Sequence, residues 1–567
     1  MKKIFLLLSI MISVYAMRAE TFTISSTQHL ADLISEDQKA TLTEVVVTTE
    51  DGTLLSAGDM DFVASMPVLE TLDLRGVGYV TPRNCIGLNN NQCVKEVWWP
   101  NNVSFIADTK NTNIERMHLP GNTNYNLSGI NRLFNNKKLV SIDFYGEVTG
   151  SYESVDGVIY GWGNTLCCYP SGKVPENGNV VIPEGVTSIL TIGSLGYNSN
   201  ITAITLPATF TVPDNMRKLT EQNTNLKNIY VAEDNPYMTT LFNDGCLYNV
   251  AAKSIIWTSP KIKFEEELVI DGSLIESVPM GFLNGHSEVK HLKFTEGYKT
   301  LVGGALKNAN GVVTVEFPAS LEAIQGEGMH TMSNLKYIIH HAVADPLGEE
   351  NEFFQIPLYD RSGNKYIGWD TFYGQPSDVK IVVPEGAKEL YLNSGWNREW
   401  THASYDYENR TKGYTADQFV EPTPLAITNG TTFHDAAAAG MTVKITAKNP
   451  YIKEEGELVA LADEEIDPSK MKFTRWIDLD AGKEGVEPVE FADPESEETT
   501  FVMPDRPVRI IAGYSNEDGT VTAVERVEAS AAAAPVYYNL QGHMVENPSA
   551  GLYIVRRGNK VAKEYVR

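Results

Sequence analysis

A short apolar pattern recurs at nearly constant spacing along this chain, and that spacing limits the fold more than any other feature does. In VVIPEGVTSILTIGSLGYNSNITAITLPATFTVPDNMRKLTEQNTNLKNIYV, residues 180–231, the pairs Val180 and Ile182, Ile204 and Leu206, and Ile229 and Val231 each stand two positions apart. Ile201 and Leu226 precede the last two pairs, which gives L-x-x-L-x-L. The steps between copies are about 24 and about 25 residues, enough for one strand and one return segment. Ordering such a unit costs on the order of 1 kcal/mol per residue, while each buried apolar side chain returns roughly 1.5 to 3 kcal/mol. One copy cannot stand alone. Neighbouring copies must cover each other's open apolar edges, so the strands belong in one parallel sheet of a quasi-one-dimensional stack.

The fold class predicted is therefore a leucine-rich-repeat solenoid, a parallel sheet with irregular or short helical returns. Further copies fall at Leu72, Val97, Met117 and Ile142, then at Leu268, Leu292, Val315 and Ile338. The last strand is expected in DVKIVVPEG around Ile381, and the solenoid is expected to end near Trp400. The first strand is expected in TEVVVTTED, with Val46 in the repeat column, and DMDFVASMP, residues 59–67, suits a short helix with Asp59 as N-cap and Pro67 closing it. The intervals Ile142 to Val180 and Ile229 to Leu268 each exceed a repeat by about 14 or 15 residues. Both excesses hold similar text, DGVIY then LCCYP and DGCLY then SIIWTSP, which predicts an inserted β-hairpin in each. A third insertion, of different character, lies between Ile338 and Ile381.

With 567 residues and 42% hydrophobic content the chain has apolar material for more than one domain. Lys2 and Lys3 precede an apolar run from Ile4 to Val14, with small residues at Ala16 and Ala19, so residues 1–19 read as a secretory signal peptide and the mature chain should begin near Met17 or Glu20. No other stretch supplies a membrane span, and the expected destination is the outer cell surface or the medium. Residues 20–65 are assigned to an N-terminal cap, 66–405 to the solenoid and 406–424 to a linker. In 425–515 short alternating strands in MTVKITA, KFTRW, TTFVM and VRIIAGY predict a small β domain, and 516–567 hold a linker and a C-terminal β segment.

The units IPEGVTSI, NITAITLP and VPEGAKELYLNSGW, with the ordered hairpin insertions, resemble the BspA-type leucine-rich repeats of secreted bacterial proteins over roughly residues 40–405; the family's IG-x-x-AF stands here as IGSLGY. GMTVKITAKNP, KFTRWIDL and TTFVMPDRPVRIIAGY resemble a divergent internalin-type B-repeat, a β-grasp-like module, through Thr500 to Pro504 with Arg475 and Trp476. YNLQG and GLYIV are similar to short C-terminal segments of proteins exported by type IX secretion. These resemblances imply a cell-surface or secreted interaction protein, often an adhesin.

Chemistry is sparse. HExxH, GxSxG and P-loop patterns do not occur, and GWG at 161–163 has Leu166 where a dinucleotide fingerprint needs its third glycine. DLDAGKEG, residues 478–485, begins like a calcium loop, but Val489 stands where the bidentate glutamate belongs, which favours a solvated turn. His340 and His341 are adjacent and so face opposite sides of a strand, one core and one exposed. Cys85 and Cys93 could close a small loop, but Cys85, Cys93, Cys167, Cys168 and Cys246 are more economically read as small apolar fillers. No catalytic group, metal site or cofactor is expected. A formal charge of -27 with a pI near 4.8 argues against nucleic acid as a partner.

What remains is surface. The residue between the last two apolar positions of each repeat projects away from the core, a column that reads Asp73, Trp98, His118, Asp143, Thr205, Tyr230, Lys293, Glu316 and Ile339. Asp73, Trp98, His118, Tyr230 and Lys293 form the candidate binding surface. Either this stripe binds an extracellular protein or glycan, or its aromatics pack against insertions. A non-enzymatic, adhesin-like binding protein leads; a structural module of an envelope or matrix assembly is the alternative, and a hydrolase with an unrecognised site ranks last.

Overall fold

The computed structural model describes residues 19–50, 54–78, 93–101, 113–121, 136–195, 197–221, 223–342, 371–392, 396, 414–450 and 471–515, together with the backbone of 536–538, 544–545, 551–557 and 560–566. The expected signal peptide up to Arg18, Cys85 and positions 343–370 of the third insertion lie outside the described residues. The chain forms two compact units, Met1–Lys263 and Phe264–Arg567.

In the first unit, six strands lie side by side and parallel: Ala19–Ile24, Glu44–Thr49, Thr71–Gly76, Glu96–Trp98, Arg116–Pro120 and Ser141–Tyr145. Leu72, Val97, Met117 and Ile142 stand in one register column, each 0% exposed, as the repeat spacing predicts. Two expectations shift at the start. Val45, not Val46, pairs with Leu72 and fills the core column, because an unbroken Val-Val-Val run has no phase of its own. Ala19–Ile24 adds a strand before the expected first one, pairing along Glu44–Thr49.

The short helix spans Ala57–Ala64, and its N-cap is Ser56 rather than Asp59. Asp59 is the third helical residue of a capping box: Ser56 Oγ accepts from the Asp59 N–H at 3.1 Å, and an Asp59 carboxylate oxygen accepts from the Ser56 N–H at 3.0 Å. Its other oxygen accepts from the Leu30 N–H at 2.8 Å. Burial would raise the Asp59 pKa, but these hydrogen bonds outweigh it and hold it below the usual carboxylate range.

Each insertion is a three-stranded antiparallel meander, one strand more than a hairpin. The first is Tyr152–Val155, Val158–Gly161 and Thr165–Cys168, and the second Met238–Leu241, Cys246–Asn249 and Ser254–Thr258. The extra strands, YESV and MTTL, carry little apolar alternation, which hides them in the sequence. Both meanders bulge at the matching position, Ile159/Tyr160 and Leu247/Tyr248, as their shared text demands. Asp156 and Gly157 turn the first with φ of 50° and 72°, the left-handed pair that a tight hairpin needs. Cys167, Cys168 and Cys246 are buried, as apolar fillers should be. Between the meanders, Asn179–Val181, Ala203–Leu206 and Asn228–Val231 form a separate parallel sheet that aligns Val180, Ile204 and Ile229.

The second unit repeats the architecture. Glu267–Ile270, His291–Phe294, Thr314–Phe317, Tyr337–His340, Lys380–Val382 and Phe419–Val420 make six parallel strands, with Leu268, Leu292, Val315, Ile338 and Ile381 in one column. The sheet thus takes one strand more than expected, beyond Trp400, because Phe419 pairs with Ile381. After it come two three-stranded sheets, Leu425–Thr428 with Val508–Ser515 and Lys472–Asp478, and Gly430–Thr432 with Thr442–Ala447 and Glu498–Val502. Trp476 is the centre of their core, 1% exposed and packed so closely on Gly430 that a Cβ there would lie 2.4 Å from the indole. Asp478 and Asp480, the calcium-like pair, face Arg506 at 2.8 Å and Arg509 at 2.6 Å, which makes them ion-pair anchors of this module. Four antiparallel strands within 536–566 close the described chain.

Candidate functional site

Parallel pairing in register sets like positions of successive repeats side by side, so the outward residues become a transverse row. On the first sheet, Asp73 stands opposite Trp98, Trp98 opposite His118 and His118 opposite Asp143. The phase that sends Trp98 outward sends its neighbour inward, and Trp99 is 1% exposed in the core, its indole N–H without a hydrogen-bond partner among the described residues.

The row is a connected stack rather than a set of separate side chains. Arg75 lies two residues beyond Asp73 on the same face and grips its carboxylate through Nε at 3.0 Å and Nη2 at 2.6 Å. That hydrogen bond and charge, against some burial, raise the guanidinium pKa further above its ordinary value. The Arg75 guanidinium carbon is 4.3 Å from the Trp98 ring centre. The His118 imidazole stacks on Trp98 with centres 3.7 Å apart and planes 13° from parallel. Two groups so close to one ring centre cannot share a face, so both faces of Trp98 are covered. His118 Nε2 meets a Glu96 carboxylate oxygen at 2.7 Å, and the Tyr145 ring lies 5.7 Å from Trp98 with its hydroxyl donating to the Trp99 carbonyl. Burial pushes the Tyr145 phenol up to about 12, so it keeps its proton as a donor. Trp98 is partly exposed, flanked by half-exposed Arg75 and partly exposed Glu96.

The other candidates stand apart from this row. Tyr230 belongs to the separate sheet, opposite Thr205, with its hydroxyl 2.9 Å from Asn228 Nδ2. Lys293 lies in the second unit, in a row that runs Val269, Lys293, Glu316, Ile339, Val382 and Val420. Exposure falls along that row from 43% at Val269 to 0% at Glu316 and 1% at Ile339 and Val382, because residues 433–445 of the following module cover it. Lys293 Nζ is 2.6 Å from Asp435 and 3.6 Å from Glu316, and it donates to the Phe433 carbonyl at 3.2 Å. Glu316 accepts from His341 Nε2 and His434 Nδ1, each at 2.7 Å, and from the Asp435 N–H at 3.1 Å. His340, on the opposite side of the strand from His341, is core and hydrogen-bonds the Tyr391 hydroxyl.

Arg75, Glu96 and Tyr145 escape a rule that reads one outward position per strand, although each lies two residues from such a position and so shares its face. Glu316 is in the outward column, but its cover comes from residues more than a hundred positions later, beyond the reach of repeat spacing. Among the described residues, Glu316, His341 and Asp435 are the one grouping whose donor atoms lie within 4.8 Å of one another as metal ligands would. The Lys293 ammonium already fills the place of a cation there. Among the described residues no helix is long and apolar enough to cross a membrane.

The register and the returns define a leucine-rich-repeat solenoid with an aromatic and charged row on its first sheet and small all-β modules after its second. No protein-family model matches the sequence, and no curated protein matches it. Among solved structures, the pneumococcal vaccine antigen PcpA is 14% identical, with 64% of this chain and 72% of that one covered and a TM-score of 0.27. A leucine-rich cell surface protein from Faecalibacterium prausnitzii is 16% identical, covering 53% and 64%, with a TM-score of 0.22. A leucine-rich repeat protein from Bacteroides ovatus is 13% identical, covering 62% and 84%, with a TM-score of 0.26. The fold assignment rests on the register and burial of this chain itself.

Proposed function

We propose that this chain is a non-enzymatic binding protein of the bacterial cell surface or medium, adhesin-like, that recognises an extracellular protein through the outward row of its first sheet. The observation that carries this reading is the Arg75, Trp98 and His118 stack, a partly exposed aromatic group bordered by opposite charges on a parallel sheet. Aromatic anchors flanked by arginine are the usual centres of protein interfaces. A sugar ring binds a tryptophan by stacking on its face, and both faces are taken here, so a protein or extended peptide is favoured over a glycan. The BspA-like repeats, the B-repeat-like module and the export signal at residues 1–19 support the same reading, and the type IX-like tail is consistent with it. The domain divisions given above belong to this proposal.

An array carrying both extracellular proteins and glycans, probed with the mature chain and with Arg75→Ala, tests it. Protein spots that weaken with Arg75→Ala are expected. Binding confined to glycans, or indifferent to Arg75, would remove the proposal.

A further inference from the structure

The second sheet presents the same outward column as the first, yet a later part of the chain lies on it. The covering segment, residues 433–445, contributes Ala437, Ala438, Met441 and Val443 to one apolar cluster with Ile339 and Val382. Beside that cluster lies a polar group shared by both sides and centred on buried Glu316: Lys293, Glu316, His341 and His291 on the sheet, His434 and, at the exposed rim, Asp435 on the module. We propose that the 425–515 module is an acid-released cap on the outward face of the second sheet, docked through this group and freed from it, still folded, as pH falls.

The hydrogen-bond order gives the cap its proton dependence. A carboxylate only accepts, so His434 Nδ1–H and His341 Nε2–H donate to Glu316. Between His434 Nε2 and His291 Nδ1, 3.2 Å apart, one nitrogen donates and the other accepts, so the two rings cannot both be fully protonated there. The arrangement therefore needs an ionised Glu316 and leaves at most one of the two facing rings charged. A charged His291 is disfavoured in this place: His434, Lys444 and Lys290 add positive charge, and Phe433 packs against it. Lys444 is itself held by Glu498 at 3.1 Å and Glu267 at 3.8 Å, with Glu266 close enough to contribute, so these carboxylates are engaged by the lysine.

Burial first, then the charges of His434, Lys444 and Lys290, depress His291 to about 4. The module supplies His434 and Lys444 as well as the covering surface, so undocking returns His291 toward its ordinary 6.5. For a depressed histidine, the released state takes up the extra proton, and docking weakens as pH falls from about 6.5 to about 4. Glu316 acts in the same direction lower down: burial raises its pKa, but His341, His434 and Lys293 outweigh it and hold it at about 2. Only the part due to His434 belongs to docking, since His341 and Lys293 stay on the sheet, and that part is present above the ordinary 4.5 of Glu316 and weakens as pH falls below it. One proton changes the docking constant by at most about tenfold per pH unit.

The inference needs nothing of the ligand proposed above. Hydrogen–deuterium exchange of the full mature chain, corrected for intrinsic rates at each pH, tests it. Between pH 7 and pH 4.5, amides in residues 433–441 should lose roughly tenfold or more of their protection, while those of Val508–Ser515 in the module core keep theirs. His291→Gln, which keeps a polar partner for His434 but cannot titrate, should move the loss to lower pH. Glu316→Gln should open 433–441 already at pH 7 with Val508–Ser515 still protected. Loss of protection in both segments together, or in neither, or at an unchanged pH in His291→Gln, would overturn the proposal.

Discussion

Trp98 and Trp99 are chemically identical neighbours with opposite environments, and the difference follows from strand alternation alone. Trp99 fills the core, so Trp99→Ala should cost roughly 3 to 5 kcal/mol of stability as a large-to-small truncation. Trp98 is held by Arg75 on one face and His118 on the other, contacts worth about 0.5 to 1.5 kcal/mol each at a partly exposed site. Trp98→Ala should therefore lower stability by about 1 to 2 kcal/mol, a larger effect than free solvent exposure would give. Denaturant unfolding of the two variants checks this, and equal losses would mean that the strand phase is wrong. At this scale the sequence was informative about direction and silent about partners. Period-2 alternation tells which side a residue faces; it cannot tell that Arg75 folds back over the row.

Elements were legible where periodicity was strong. The core columns from Leu72 to Ile142 and from Leu268 to Ile381 follow from the repeat step, since every strand with that spacing must bury the same position. The exceptions have local causes. Val45 to Val47 have no polar residue to mark the phase, and the strand Ala19–Ile24 carries only two large apolar residues, Phe22 and Ile24, too few to show the repeat pattern. The helix start was displaced because Ser56 and Asp59 are both good capping residues, and only the reciprocal hydrogen bonds identify which one caps. Ser56→Ala should cost about 1 kcal/mol, measurable as a lowered unfolding midpoint; no change would discount the capping box. Deleting residues 181–204, one complete step, should leave a folded and shorter array, since each copy contacts its neighbours only. Deleting half that length should abolish cooperative melting, and equal circular dichroism and melting for both deletions would refute the repeat frame.

On the scale of the whole molecule, repetition explains how the chain is built, and the departures from repetition carry its functional features. The fold class was readable because stacking is a local rule repeated many times. The cover over the second sheet was not, because it depends on contacts such as that of Glu316 with His434, which no period relates. The two sheets thus differ in what they present: a stacked aromatic row on one and a docked module on the other. The central claim is that the first row contacts the partner. The most direct measurement compares the affinity of Trp98→Ala with that of Trp162→Ala for a protein captured by the wild-type chain. Trp162 is 50% exposed at a meander turn and serves as an off-row control. Trp98→Ala should weaken binding by about 2 kcal/mol, roughly thirtyfold, as truncation of an interface anchor does, with Trp162→Ala close to wild type. Undiminished binding by Trp98→Ala, or a larger loss with Trp162→Ala, would contradict the account.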